Sequence, residues 1–161
     1  MIDIVSLHIL KTGGISFLEI LKQQYGEKQV YRYIENDTKF KKIRRKVILN
    51  TLPSNTKVLH GHFIFNDVKH IVKKHNSKVI VWFRGPVERV ISRYYFLMKR
   101  IEDNPKHPKI RFKNDTLLDF AKRPSQINMM SRFVDGIDLK DLFFFGFLES
   151  FAEDMEVLAN K

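Results

Sequence analysis

The sequence predicts an α/β fold, a three-layer sandwich in which helices cover both faces of a mostly parallel sheet. Three short apolar runs, rich in β-branched residues, have the composition of strands that are buried on both faces. Segments with apolar residues every three or four positions lie between these runs and indicate helices. This alternation favours a parallel sheet, because parallel strands need a long crossover connection, usually a helix.

The elements follow in order along the chain. Strands are predicted at residues 4–10, 58–62 and 79–83, and a fourth at 142–147, which is as apolar but has fewer β-branched residues. Helices are predicted at 15–25, 39–50, 66–75, 86–101, 117–122, 126–134 and 149–160. Residues 102–114 contain two prolines and several bases, and are predicted as a surface loop. With 161 residues and no repeat or low-complexity segment, residues 1–161 are expected to form one domain.

The charge indicates an anionic partner. The formal net charge is +11, and residues 1–132 hold 27 Lys and Arg against 11 Asp and Glu. Such a field attracts phosphate-bearing or polyanionic molecules without naming one. There is no cysteine, which excludes disulfides, thiolate zinc sites and cysteine nucleophiles.

Membrane and secretion signals are not visible in the sequence. No apolar stretch reaches the roughly 18 residues that a membrane span needs. The start of the chain lacks a basic region followed by a long apolar segment. We therefore expect a cytoplasmic protein, or a domain trimmed from an anchored parent.

The segment HILKTGGISFLEIL, residues 8–21, indicates an anion site between the first strand and the first helix. A Gly-Gly turn lets a ligand approach the backbone, and a helix start offers unpaired N–H groups and a positive dipole end. Lys11 adds a cation, and Thr12 and Ser16 add hydroxyls. Lysine precedes the glycines, so the ATP and GTP loop with the order G-x-x-x-x-G-K-[ST] is not matched. A plain turn with a surface lysine remains open.

Arg84 and Ser92 form a second candidate anion site. Arg84 follows a predicted strand, at the edge where open α/β sheets bind ligands, and Ser92 lies two turns into the next helix. The arginine fork suits an anion and the serine adds a hydroxyl. Arg89 and Arg93 share another face of that helix, and we interpret them as solvated or salt-bridged arginines.

His60 and His62, in LHGHF, end another predicted strand. They could be metal ligands, but zinc needs a third and fourth ligand that this stretch does not supply, and no metal is expected. A histidine at a strand end is a candidate general base, although a structural histidine is the commoner case. A functional role gains support because Lys11, the histidines and Arg84 all lie at the ends of predicted strands of one sheet.

Four segments together resemble a known family. HILKTGGISF, LHGHF, WFRGPVERVISRYYF and FFFGFLESFAEDMEVL resemble, in this order, segments of the sulfotransferases that use 3′-phosphoadenosine-5′-phosphosulfate, PAPS. The resemblance is to the carbohydrate-modifying branch that includes heparan sulfate 2-O-sulfotransferase, and it covers residues 8–158. It implies a P-loop-like fold, PAPS as sulfate donor without a metal, and a hydroxyl-bearing acceptor, most often a carbohydrate.

The resemblance also implies roles for individual residues. Around the 5′-phosphosulfate it places Lys11, Thr12, Gly13, Gly14 and Ser16; it places Arg84 and Ser92 on the 3′-phosphate. It makes His62 the base, with His60 supporting it or sharing the work, and Lys11 a catalytic cation that stabilises charge on the leaving oxygen. Residues 128–132 resemble a nucleotide-flanking helix.

Two positions depart from the family's pattern, and two other functions remain open. Ile15 stands where the family has Thr or Ser, and Gly85 stands where an aspartate is common. Residues 39–46, KFKKIRRK, are expected to be a solvated amphipathic helix, or else a basic surface for a charged acceptor. The alternatives are a non-catalytic member that binds nucleotide or polyanion, and a small nucleotide kinase with an unusual loop. Nothing indicates specific nucleic-acid binding.

Overall fold

The computed structural model describes residues 1–33 and 51–161. Its strands are β1 (Ile4–Leu7), β2 (Val30–Tyr33), β3 (Val58–Gly61), β4 (Lys78–Phe83) and β5 (Phe144–Phe147). They form one sheet in the order β2-β3-β1-β4-β5, and every neighbouring pair is parallel. The predicted α/β fold with a mostly parallel sheet is confirmed.

The helices lie where the apolar periodicity predicts them. They are α1 (Gly14–Tyr25), α2 (Phe65–His75), α3 (Pro86–Asp103), α4 (Leu117–Ala121), α5 (Met129–Phe133) and α6 (Phe151–Ala159). Pro86 opens α3, where a proline costs nothing because the first N–H of a helix has no partner in the helix. The predicted helix at 39–50, and with it the basic segment 39–46, lies outside the described residues.

Two apolar clusters bury the two faces of the sheet, which gives the three layers. On one face, Val68 and Ile71 of α2 pack with Val5 of β1 and Leu59 of β3. On the other, residues of α1 and α6 pack around Trp82 of β4. Burial on both faces is why the strands are continuously apolar rather than alternating.

Several predicted bounds differ from the structure: β1 ends at Leu7 rather than at residue 10, β5 begins at Phe144 rather than at residue 142, and α5 and α6 are shorter than the predicted helices at 126–134 and 149–160. One further strand and one loop also differ. Strand β2 was not predicted, because VYRY is short, alternates in polarity and lies at the edge of the sheet. Helix α3 runs two residues further than expected, and a short 3₁₀ turn, Ile110–Phe112, interrupts the predicted loop at 102–114. None of the helices in residues 1–33 and 51–161 is long and apolar enough to cross a bilayer.

Candidate active site

Three adjacent strands bring the candidate residues to one edge of the sheet. Leu7, the last residue of β1, lies in register with Gly61 of β3 and Val81 of β4. The N–H of His8 donates to the carbonyl oxygen of Gly61 over 2.9 Å, so the chain continues in register just beyond the strands. His8 and the loop after it, His62, and Arg84 therefore all follow the carboxyl ends of neighbouring strands. Open parallel sheets bind ligands at this edge.

The loop between β1 and α1 has two positions that favour glycine, Gly13 because of its backbone conformation and Gly14 because of the space that a side chain would need. Gly13 has φ 83°, and a Cβ there would lie 2.8 Å from Cδ1 of Leu148. A Cβ on Gly14 would overlap the ring of His8. Lys11 also has a positive φ, 70°, which is unusual for a residue with a side chain. The loop is thus a tight turn that leads directly into the N-terminus of α1.

The other loop residues are used differently from one another. The hydroxyl of Thr12 is buried and donates to the carbonyl oxygen of Ile9 over 3.0 Å, so it stabilises the turn itself. Ser16 is exposed in the first turn of α1. Ile15, which departs from the family's pattern, is 64% exposed, so burial in the core does not account for its apolar side chain.

Arg84 is held between the loop and the end of the sheet. Its Nη1 donates to the carbonyl oxygen of Lys11 over 3.3 Å. Its Nε lies 3.9 Å from Oε1 of Glu149, within ion-pair range but beyond hydrogen-bonding distance, and this buried nitrogen has no hydrogen-bond partner among the described residues. The same Glu149 oxygen accepts from the N–H of Gly85 over 3.0 Å. The guanidinium retains a donor that an anion could use.

Lys11 and Arg93 lie on the side of the site that α3 covers. Nζ of Lys11 lies 4.4 Å from the centre of the Phe96 ring, and the guanidinium of Arg93 lies 5.7 Å from it. Burial lowers the pKa of Lys11, and the nearby charges of Arg93 and Arg84 lower it further. Ser92 is half-buried on the same helix. The field here is positive, as an anion site requires.

Arg89 is neither solvated nor salt-bridged among the described residues, so the interpretation from the sequence is wrong for this residue. Only 2% of Arg89 is exposed, and it forms no ion pair with a described residue. Its Nη2 donates to the carbonyl oxygen of Gln126 over 3.3 Å. Arg89 therefore ties α3 to the segment that leads into α5, the helix at residues 129–133.

A cavity of about 750 Å³ opens beside Arg84. Its walls include the aromatic rings of Phe83, Phe145 and Phe147, at the ends of β4 and β5. Phe145 and Phe147 are each more than two-fifths exposed. Apolar and aromatic walls beside one or two charged groups are usual in sites for small molecules.

The histidines form one contiguous group. His60 is buried; its Nδ1 lies 2.9 Å from the hydroxyl of Ser6, and its Nε2 lies 3.2 Å from Nδ1 of His8. Nδ1 of His62 lies 2.7 Å from the carbonyl oxygen of His8. A carbonyl only accepts, so Nδ1 of His62 carries the proton and, in the neutral ring, Nε2 carries the lone pair. The described residues contain no group of three or more His, Asp or Glu arranged to hold a metal ion.

Sequence reasoning missed His8 and Glu149 as parts of this site. His8 lies two residues beyond Ser6, which is in register with His60, so the side chains of β1 and β3 meet here. The signal was the alternation of Ser6 with His8 and of His60 with His62. It becomes readable only when the two strands are known to be neighbours. Glu149 lies after β5, next to β4 and hence beside Arg84.

A similarity to a solved structure supports this fold. No protein-family model matches the sequence. The search of curated proteins finds no match either. Among solved structures the chain is similar to the mouse sulfotransferase SULT7A1 complexed with PAP, with a TM-score of 0.57 and 16% sequence identity. The likeness covers 99% of this chain and 56% of that one, so the chain spans little more than half of that sulfotransferase. The chain has the α/β fold, with its parallel central sheet, that this sulfotransferase has.

Proposed function

We propose that the chain is a PAPS-dependent sulfotransferase that transfers a sulfuryl group to a hydroxyl group of a carbohydrate acceptor. The observation that carries the proposal is the convergence of the loop at residues 11–16, His62 and Arg84 at the carboxyl ends of three adjacent parallel strands. The fold likeness to a PAP-bound sulfotransferase supports it. The carbohydrate branch rests on the sequence resemblance.

The residues beside the loop suit the donor. The N–H groups at Gly13, Gly14 and Ser16 bind the 5′-phosphosulfate, and Thr12 contributes through its backbone because its hydroxyl is engaged with Ile9. Arg84, with its unpartnered buried Nε, binds the 3′-phosphate together with Ser92. The aromatic cavity beside Arg84 takes the adenosine.

The catalytic step needs one base and one cation. PAPS, when bound, supplies an activated sulfuryl group whose leaving group is a phosphate. Nε2 of His62 takes the proton of the acceptor hydroxyl as its oxygen bonds to sulfur, while the bond from sulfur to the bridging oxygen breaks. Lys11 stabilises the charge that develops on that oxygen. The products are a sulfate ester, adenosine 3′,5′-bisphosphate (PAP) and a protonated His62.

His60 has a supporting place in this proposal. Its ring is 1% exposed, and both of its nitrogens lie within hydrogen-bond distance of protein groups. A ring so enclosed is poorly placed to touch an acceptor. We assign the base to His62 and a positioning role to His60.

The test is sulfate transfer from ³⁵S-labelled PAPS to a panel of glycans and simple glycosides. We expect transfer by the wild type, a loss of about 10²- to 10⁴-fold in His62→Ala, and nearly unchanged binding of PAP. His70→Ala, on the exposed surface of α2, serves as the matched control.

Two results would overturn parts of the proposal. Full transfer by His62→Ala would move the base to another residue. Tight PAP binding by a wild type that transfers sulfate to no member of the panel would favour a non-catalytic nucleotide-binding protein.

A further inference from the structure

His8 is a buried polar residue that the proposed chemistry leaves without a role. Only 8% of its surface is exposed, although it lies at the edge of the sheet that carries the candidate active site. The ring lies against the first turn of α1, so closely that a Cβ on Gly14 would overlap it. A buried imidazole needs partners for its nitrogens, and Nδ1 of His8 has one in Nε2 of His60.

A chain of hydrogen bonds fixes the His8 ring. Ser6 contacts Nδ1 of His60 at 2.9 Å, and Nε2 of His60 contacts Nδ1 of His8 at 3.2 Å. Each contact needs one donor and one acceptor, and the serine hydroxyl can be either. The chain is therefore satisfied with neutral rings, whichever way the protons run.

The fixed ring lies against the candidate base. The ring centres of His8 and His62 are 4.1 Å apart and their planes are tilted by 30°, so the two rings are in direct contact. The carbonyl group of the same residue accepts from Nδ1 of His62 over 2.7 Å. One residue thus contacts His62 through both its backbone and its ring.

The rings beside His62 stay neutral at physiological pH. Burial lowers the pKa of His8 to about 2, and the neighbouring His62, His60 and Arg32 lower it too. Burial likewise lowers the pKa of His60 to about 3, with contributions from His62 and Arg32. Neither ring adds a positive charge that would oppose protonation of the base.

We propose that His8 is a positioning residue for the base: its ring, held by His60, which Ser6 holds in turn, packs against His62 and keeps the proton of His62 on Nδ1 and the lone pair on Nε2. The role rests on the proposed function, in which His62 takes the acceptor's proton. Without the ring, His62 can turn away from the carbonyl of His8 and exchange tautomers.

The test separates the ring contact from the hydrogen bond. His8→Phe keeps a ring of similar size, His8→Asn keeps a hydrogen-bonding group for His60, and His8→Ala keeps neither. Long-range ¹H–¹⁵N spectra of the histidine-labelled chain at pH 7.5 report the tautomer of each ring without any turnover. Thermal unfolding and PAP binding of each variant check folding, and His70→Ala is the control.

We expect His62 to carry its proton on Nδ1 in the wild type and in His8→Phe, and to show mixed tautomers in His8→Asn and His8→Ala. In those two variants kcat should fall about tenfold or more, with KM for PAPS little changed. The wild-type tautomer in both His8→Asn and His8→Ala would overturn the role of His8. An Nε2 proton on His62 in the wild type would also overturn it. If the tautomers are as expected but neither the wild type nor any variant transfers sulfate, the proposed function is wrong, whereas the positioning of His62 by His8 is supported.

Discussion

Nη1 of Arg84 donates to the carbonyl oxygen of Lys11 over 3.3 Å. This bond joins the end of β4 to the loop after β1, at the residue whose φ of 70° lies in the left-handed region. In the proposed function the two residues bind opposite ends of the donor, Lys11 at the phosphosulfate and Arg84 at the 3′-phosphate. This hydrogen bond links the two proposed anion sites directly.

The first prediction concerns Arg84 itself. Arg84→Ala should weaken PAP binding by about 10- to 100-fold, because a hydrogen bond to a charged group contributes about 1.5–3 kcal/mol. Arg84→Lys should fall between that variant and the wild type, since it keeps the charge but loses the two-pronged fork. Isothermal titration calorimetry at fixed salt measures this. Equal affinity in Arg84→Ala and wild type would remove Arg84 from the nucleotide site.

The second prediction uses two glycines that have the same positive φ but different ψ, 6° at Gly13 and 140° at Gly26. Gly13 and Gly26 both have φ 83°, but a Cβ on Gly13 would crowd Leu148, whereas one on Gly26 meets nothing within 4 Å. Both alanine variants should lose about 1–3 kcal/mol of stability, because each would place a residue with a side chain at a positive φ, as urea unfolding would show. Only Gly13→Ala should also lose PAP affinity, because only Gly13 belongs to the loop.

Gly26→Ala is therefore the control for the strain of a positive φ outside the loop. Equal PAP affinity in the two variants would mean that the loop at Gly13 does not bind the nucleotide.

The third prediction concerns the carboxylate beside Arg84. Glu149 lies 3.9 Å from Nε of Arg84 and also accepts from the N–H of Gly85, and its side chain is half exposed. Glu149→Gln keeps an oxygen for that N–H but removes a negative charge that opposes a 3′-phosphate. PAP affinity should rise about two- to fivefold, as expected for an exposed ion pair of up to about 1 kcal/mol. Weaker binding in Glu149→Gln would instead show that the carboxylate orients Arg84.

The fourth prediction is a stability profile against pH. Histidines in the unfolded chain take protons as the pH falls through about 6.5. In the folded chain burial lowers the pKa of His8 to about 2 and that of His60 to about 3, so both stay neutral over this range. The unfolded state therefore binds more protons below pH 6.5, and stability falls with pH. Between pH 7.5 and 5.0 the free energy of unfolding should drop by about 2–4 kcal/mol, as measured by urea titration.

A variant identifies the source of that slope. His8→Phe should be less dependent on pH than the wild type over the same range, because one of the two neutral rings is gone. A flat wild-type profile would contradict the burial of neutral His8 and His60.

Much of the fold is predictable from the sequence. Apolar runs such as the one in β4 predict buried parallel strands, and the 3.6-residue period of apolar residues predicts helices such as α3. Strand β2 (Val30–Tyr33) is not predictable in this way. It has only four residues, they alternate in polarity, and its pairing with β3 cannot be read from the sequence.

The site divides in the same way. The placement of Lys11, His62 and Arg84 at one edge of the sheet is predictable, because each follows an apolar run and strand ends meet at one edge of a parallel sheet. The placement of His8, Glu149 and the buried Arg89 is not, because it depends on strand order and packing rather than on neighbours in the chain. A motif identifies a residue but not its contacts: Thr12 lies in the loop as expected, but its hydroxyl donates to the carbonyl oxygen of Ile9.

The central claim is that the site recognises a nucleotide through its 3′-phosphate. Calorimetric titration of the whole chain with PAP and with ADP, at matched salt, compares two adenosine nucleotides that each carry two phosphates but place them differently. The account predicts that PAP binds about tenfold or more tightly than ADP, and that Arg84→Ala abolishes the difference. Equal or tighter binding of ADP by the wild type would contradict it.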